Sequence, residues 1–237
     1  MQPNAAEKRY LDELLAAMRA PCDASFPVGA WLGQAFAEEF KATLLIHHYF
    51  LRSPLSTNSF EAAFIRAARA AGHAVAQAPD GFRFWDVDVD GRKISLKSTA
   101  ATGLKTDTLH ISKLCEAAWI QDMRGAALRE ETTKRLFADY TSKVDSIIQF
   151  RLFKSRALYE MVEIPVSILR QVASVPRSEF APDGPSIGIP VGKDPSDFTL
   201  KLDRSDAKIT LANINKHVCS VLGTWQLHPT ELLAVAP

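Results

Sequence analysis

The chemistry-bearing residues of this chain concentrate in 82–99, Phe-Arg-Phe-Trp-Asp-Val-Asp-Val-Asp-Gly-Arg-Lys-Ile-Ser-Leu-Lys-Ser-Thr. A carboxylate (Asp86), a hydroxyl (Ser95) and an amine (Lys97) that meet on one surface can hold a cation and steer a water molecule. Two runs of alternating, β-prone residues meet at Asp90-Gly91, a strong signal for a two-residue hairpin. With Val89 and Arg92 flanking that turn, Val87 lies opposite Ile94, and Trp85 opposite Leu96, on one apolar face. On the other face Asp86 lies opposite Ser95, with Lys97 as its diagonal neighbour, and Asp88 pairs with Lys93 nearer the turn. The plainer reading of Asp86 and Lys97 is a surface ion pair of little energetic weight. The Trp85 face argues for a packed hairpin and favours a site.

The flanking elements must hold that hairpin in place. Residues 5–20 read as an amphipathic helix with Leu11, Leu14, Leu15 and Met18 as its stripe, and Pro21 to Pro27 breaks it. A more apolar helix covers 29–50. A third covers 59–71, with Asn58 as its cap, Phe60, Phe64, Ala67 and Ala71 on one face, and Gly72 to end it. A strand at 73–78 leads through Pro79-Asp80-Gly81 into the hairpin. A loop rich in Thr, Gly and Lys follows at 99–108, then helices at 109–124 and 126–143 separated by Gly125. Strands are expected at 146–153 and 157–164, then a helical patch at 166–173. Five prolines in 174–196 (Pro176, Pro182, Pro185, Pro190, Pro195) predict a long irregular loop. Strands resume at 197–203, 207–214 and 218–227. The expected fold class is α/β or α+β, in one domain of 237 residues. It has a helical region (1–57), a core (58–124), and a helix plus β-rich part (125–237).

Composition narrows the function classes. The net charge is +1, so no global field advertises a polyanionic partner, although a local basic cleft would suffice for one. Cys22, Cys115 and Cys219 are odd in number and far apart. They form neither a zinc-ligand spacing nor a disulfide framework, read as small core residues, and point to a reducing cytoplasm. No basic segment followed by an apolar core marks a signal peptide at the N-terminus. The apolar stretch 42–50 is too short to span a bilayer, so no membrane association is expected. It contains His47 and His48, which read as helix residues because no third ligand stands nearby.

The pattern of Asp86, eight residues, then Ser95-Leu96-Lys97 resembles the PD-(D/E)XK nuclease superfamily, and within it type II restriction endonucleases. The flanks fit too: a helix containing Glu61 precedes the first strand and a helix follows the lysine strand, an αβββα order across roughly 58–124. The resemblance implies a magnesium-dependent nuclease in which Asp86 ligates Mg2+ and Lys97 positions the attacking water. Ser95 stands where the pattern has an acid. Some restriction endonucleases with Ser-x-Lys take the missing carboxylate from the following helix, which here points to Glu116 as the second metal ligand, with Asp122 as competitor. Glu61 has two readings, a metal-facing acid or, three residues after Asn58, half of a capping box.

The same resemblance implies double-stranded DNA as substrate and a homodimer, since cutting both strands of a palindrome calls for two sites about a twofold axis. Any cognate DNA methyltransferase would be a separate protein. Lys105, His110, Ser112 and Lys113 are expected at the mouth of the helix bearing Glu116, where phosphates bind well. In the turn between the strands at 197–203 and 207–214, Arg204, Asp206 and Lys208 have the chemistry to read base edges. That run equally suits a solvated turn with compensating charges. The rival functions are a structure-selective repair or phage-defence nuclease, and a DNA-binding module whose nuclease core is dead, with Ser95 as the mark of decay.

Overall fold

The computed structural model describes residues 2–79, 81–82 and 84–228. Asp80, in the expected approach to the hairpin, and Arg83, within the central stretch, lie outside the described residues. Helix α1 (Ala5–Met18) opens with a capping box between Asn4 and Glu7, and its chain continues into a short strand β1 (Cys22–Ser25). Helix α2 (Gly33–Leu45) widens into a π-turn over Ile46–Phe50. Helix α3 (Thr57–Ala70) is capped by Ser56, whose partner in the box is Ser59. Asn58 is therefore inside the helix, and the capping-box reading of Glu61 is overturned. The serine pair wins because its two short hydroxyls close reciprocal bonds to the first-turn backbone.

Strands β2 (Val75–Gln77), β3 (Val87–Val89) and β4 (Arg92–Thr99) follow, then β5 (Thr108–Glu116). The expected helix at 109–124 is corrected here: 108–116 is a strand and only Ala118–Asp122 turns, as a 3-10 segment. The cause is a bulge. Ile111 pairs with Leu211 and Cys115 with Ile209, so β5 has three residues where its partner has one. That places buried Ile111 and Leu114 three apart, a spacing that imitates a helical stripe. The flanking helix of the αβββα order is instead α4 (Ala126–Lys143), after the excursion of β5 into another sheet.

The chain continues through β6 (Ser146–Phe153), β7 (Leu158–Pro165), β8 (Ser186–Val191), β9 (Phe198–Asp203), β10 (Lys208–Asn215) and β11 (Ser220–Leu227). The strand β8 replaces part of the expected irregular loop. It lies at the edge of its sheet, where Pro190 leaves no central ladder bond unmade.

Seven strands form one sheet in the order β1-β11-β7-β6-β4-β3-β2, and four form a second in the order β5-β10-β9-β8. Every pairing is antiparallel except β4 with β6. One face of the large sheet meets α1–α3 through Phe40, Phe60, Phe64, Phe150 and Trp225. Phe60 and Phe150 stack there with ring centroids 5.0 Å apart. The other face, with Ile147, Val162 and Ile164, shares a core with α4 and the small sheet.

Strand β6 is buried along its whole length, yet it carries Gln149 and Arg151. The Gln149 amide donates to the His110 carbonyl at 2.8 Å. The Arg151 guanidinium donates to the carbonyls of Lys105 (2.7 Å) and Thr108 (3.0 Å) and pairs with Glu160 at 3.2 Å. These bonds tie β5 and the loop before it onto the large sheet. Removing Arg151 strands the part-buried Lys105 and Thr108 carbonyls and leaves Glu160 with Lys216 alone as its cation. Arg151→Met is accordingly expected to lower unfolding free energy by about 3–5 kcal/mol, read from urea denaturation. A loss below about 1 kcal/mol would show that the tie is dispensable.

In the hairpin turn, Asp90 (φ 53°) and Gly91 (φ 85°) both take the left-handed region that a two-residue turn of this type demands. Asp90 also accepts from His73 at 2.7 Å, and that hydrogen bond raises the imidazole pKa above its usual 6.5. A pKa raised on folding contributes stability that is complete below the unfolded value and fades as pH climbs through the folded one. Asp90→Asn, which suits the same turn, should therefore lower the melting temperature most below pH 6.5, with the gap to wild type closing in alkali. A gap independent of pH would remove His73 from the account.

Candidate active site

The hairpin forms with the expected register: Val87 pairs with Ile94, Asp88 with Lys93 and Val89 with Arg92. The Asp88–Lys93 ion pair spans 3.5 Å. Beyond Val87 the ladder changes character. The Asp86 backbone N–H still donates to the Ile94 carbonyl at 2.8 Å, but the Leu96 N–H donates to the Asp86 carboxylate at 2.6 Å. A side chain has taken the acceptor position of a backbone carbonyl, so the chain before Asp86 departs from the sheet. Trp85 consequently does not cover Leu96. It packs with the core on the α4 side, its ring 5.3 Å from that of Phe82, while Leu96 faces the core of α1–α3.

The Asp86 oxygen that takes the Leu96 N–H also receives the Ser95 hydroxyl at 3.3 Å and lies 3.7 Å from the Lys97 ammonium. Ser95 is 2% exposed and sits behind the carboxylate beside α4. There burial pushes the Tyr140 phenol up, against a smaller lowering by Ser95 and with a small addition from the Asp86 charge, and it stays neutral. Asp86 and Lys97 keep about a third of their surfaces open to solvent.

They open onto a cleft of about 640 Å³. Its walls are Thr57 and Glu61 from α3, the strand end from Leu96 to Thr99, residues 110–113 of β5, and Gln149 of β6. The Glu61 carboxylate is steadied by the Gln77 amide at 3.3 Å. Lys97 and Gln149 are register partners across the parallel β4–β6 pair. The amide of Gln149 is oriented by the His110 carbonyl, an acceptor, and its Oε1 has no hydrogen-bond partner among the described residues. Sequence reading missed Gln149. The available signal was Gln149 and Arg151, two apart, in the interior of the otherwise apolar run Ile-Ile-Gln-Phe-Arg-Leu-Phe.

Four expected contact residues take these positions. His110, Ser112 and Lys113 line the cleft, but from a strand rather than from a helix N-terminus. Burial lowers the His110 pKa, and the Lys201 and Lys208 charges lower it further. Lys105 lines an adjoining recess.

Others stand apart. Glu116 ends β5, pairs with Lys113 at 2.5 Å, and is not among the cleft-lining residues. Asp122 lies in the following 3-10 segment, also outside the cleft lining. Arg204 is held by Asp183 (3.0 Å) and the Gly184 carbonyl (3.4 Å) in a separate recess. Lys208 pairs with Asp206 and, at 3.9 Å, with Asp203. Among the described residues no group of three or more His, Cys, Asp and Glu is arranged to hold a metal ion. Among the described residues no helix is long and apolar enough to cross a membrane.

A family model described as SmaI, type II site-specific deoxyribonuclease, matches residues 17–227. The type II restriction enzyme SmaI of Serratia marcescens is 26% identical over 200 residues, covering 80% of this chain and 78% of that enzyme. A solved restriction endonuclease in complex with substrate DNA aligns over 78% of each chain, with 11% identity and a TM-score of 0.38. The family match takes in every element that walls the cleft, from α3 through β6, and the chain belongs to the SmaI family of type II site-specific deoxyribonucleases.

Proposed function

We propose that this chain is a magnesium-dependent, sequence-specific endonuclease that cuts double-stranded DNA in the cleft of Glu61, Asp86 and Lys97. The observation that carries the reading is the convergence of two carboxylates and an ammonium from α3, the hairpin approach and β4 on one cleft. The donor set suits the ion. Magnesium is usually held by one or two carboxylates and completes its shell with waters and substrate phosphate oxygens, so a larger protein cluster is not required. Asp86 and Glu61 are the ligands we favour. Glu116, favoured from sequence, is engaged by Lys113 outside the cleft lining.

When bound, the ion would polarise the phosphate and lower the pKa of a water. The protein's own part is positional. Ser95 and the Leu96 N–H hold the Asp86 carboxylate from behind, and the Lys97 ammonium directs a hydrogen at the water and so orients its lone pair toward the phosphorus. In this reading Ser95 supports the acid at its neighbour rather than substituting for one. We further propose a cytoplasmic homodimer with one cleft per strand, a separate methyltransferase to protect the host sequence, and recognition by the region 125–237 together with β5.

Large plasmid or phage DNA incubated with magnesium should yield discrete fragments, and EDTA should abolish them. Smears, or cleavage confined to junctions and flaps, would contradict sequence specificity. Lys97→Ala should lose about 10²–10⁴-fold in single-turnover cleavage while still shifting duplex DNA in a gel. Asp86→Ala should be at least as impaired. Glu61→Ala should lose more activity than Glu116→Ala, and the reverse ranking would return the second ligand to Glu116. Sedimentation should give twice the 26.1 kDa chain mass.

A further inference from the structure

Strands β4 and β6 run parallel with Lys97 beside Gln149 and Thr99 beside Arg151, so both leave the sheet at the same edge as the cleft. The chain after β4 forms the loop 100–107, and the chain after β6 forms the 3-10 turn Lys154–Arg156 before β7. The two segments face each other. Residues 101–104 form one wall of a recess of about 460 Å³, and 153–156 form the other. Ala101 also lines the cleft of Asp86 and Lys97, and residues 101–105 line the intermediate recess floored by Gln149 and Arg151. The three hollows are neighbours in series: the first two share Ala101, His110 and Gln149, and the last two share residues 101–104.

The charge along the outer part of the series is positive. Lys105, Lys154 and Arg156 are exposed and have no ion-pair partner among the described residues. Arg151, by contrast, is already matched by Glu160, and the loop's carboxylate Asp107 acts on Arg151 as well. The Arg156 guanidinium lies over the Phe153 ring at 4.6 Å, which leaves its edges free for acceptors. Exposed cations along a groove that leads away from a phosphodiester-cleaving centre match the regular charge of a nucleic-acid backbone.

We propose that Lys154 and Arg156, with Lys105 in the adjoining recess, bind backbone phosphates of the duplex that flanks the cut. This track rests on the reading of the cleft as the cleavage site and extends it to the path of the uncleaved DNA. It adds affinity without sequence preference, because phosphates are alike in every sequence.

The test is the salt dependence of binding by the full-length protein to a duplex of about 30 base pairs of arbitrary sequence, in EDTA. Each phosphate contact contributes about 0.9 to the slope of log affinity against log salt, so Lys154→Ala/Arg156→Ala should flatten it by about 1.8. The loss should be equal on duplexes of different sequence. Lys154→Arg/Arg156→Lys should keep the wild-type slope, and Lys8→Ala/Arg170→Ala, which removes two exposed charges elsewhere, should keep it too. Melting temperatures equal to wild type confirm that the alanine variant is folded. An unchanged slope in a folded alanine variant, against a steep wild-type slope, overturns the track and leaves the cleavage reading intact. A wild-type protein without salt-dependent duplex binding overturns both.

Discussion

The parallel pairing of β4 with β6 is the constraint on which the site depends. A parallel pair needs a crossover, and here the connection from Thr99 to Ser146 contains β5 and α4. That connection delivers a strand to the second sheet and a helix to the far face of the first. In-register pairing then sets Lys97 beside Gln149 and Thr99 beside Arg151. A slip of one residue would turn Lys97 into the core of α1–α3 and expose Leu96, so burial of Ile94, Leu96, Ile148 and Phe150 locks the lysine's direction.

Asp86 combines two demands that usually compete. Its carboxylate substitutes for a backbone acceptor at Leu96, which anchors it, and it remains partly open to the cleft. Anchoring by a backbone N–H, a hydroxyl and a nearby ammonium fixes its direction. The cost is a broken ladder: β3 is three residues long, and Trp85 crosses to the opposite core.

Gln149 and Arg151 explain how two sheets behave as one framework. Each donates to backbone carbonyls of β5 or of the loop before it, His110 for Gln149 and Lys105 and Thr108 for Arg151. Buried polar groups of this kind are favourable only when satisfied, so the loop 100–107 and the start of β5 are positioned along with them. Two atoms of the pair have no hydrogen-bond partner among the described residues: the Arg151 Nε, which faces Glu160 as an ion pair, and the Gln149 Oε1, an acceptor on the residue beside Lys97.

Much of this was legible in the sequence because it is local. The Asp90-Gly91 turn dictates the hairpin register through its two positive φ angles, and the three helices before it follow from apolar periodicity and Gly72. The Asp86 and Lys97 pair followed from that register and from the Ser95-Leu96-Lys97 pattern. What the sequence did not disclose is nonlocal. A bulge against β10 made β5 imitate a helix, and with it misplaced Glu116. Pro190 was accepted in a strand because β8 lies at a sheet edge, a fact of topology. Glu61 reached the cleft because α3 packs across the hairpin, and Gln149 because β6 comes from fifty residues away to lie beside β4. Local turn chemistry and period fixed the type of the hairpin and the first three helices, whereas the strand at β5 and the meeting of Glu61, Lys97 and Gln149 were decided only by how the buried faces pack.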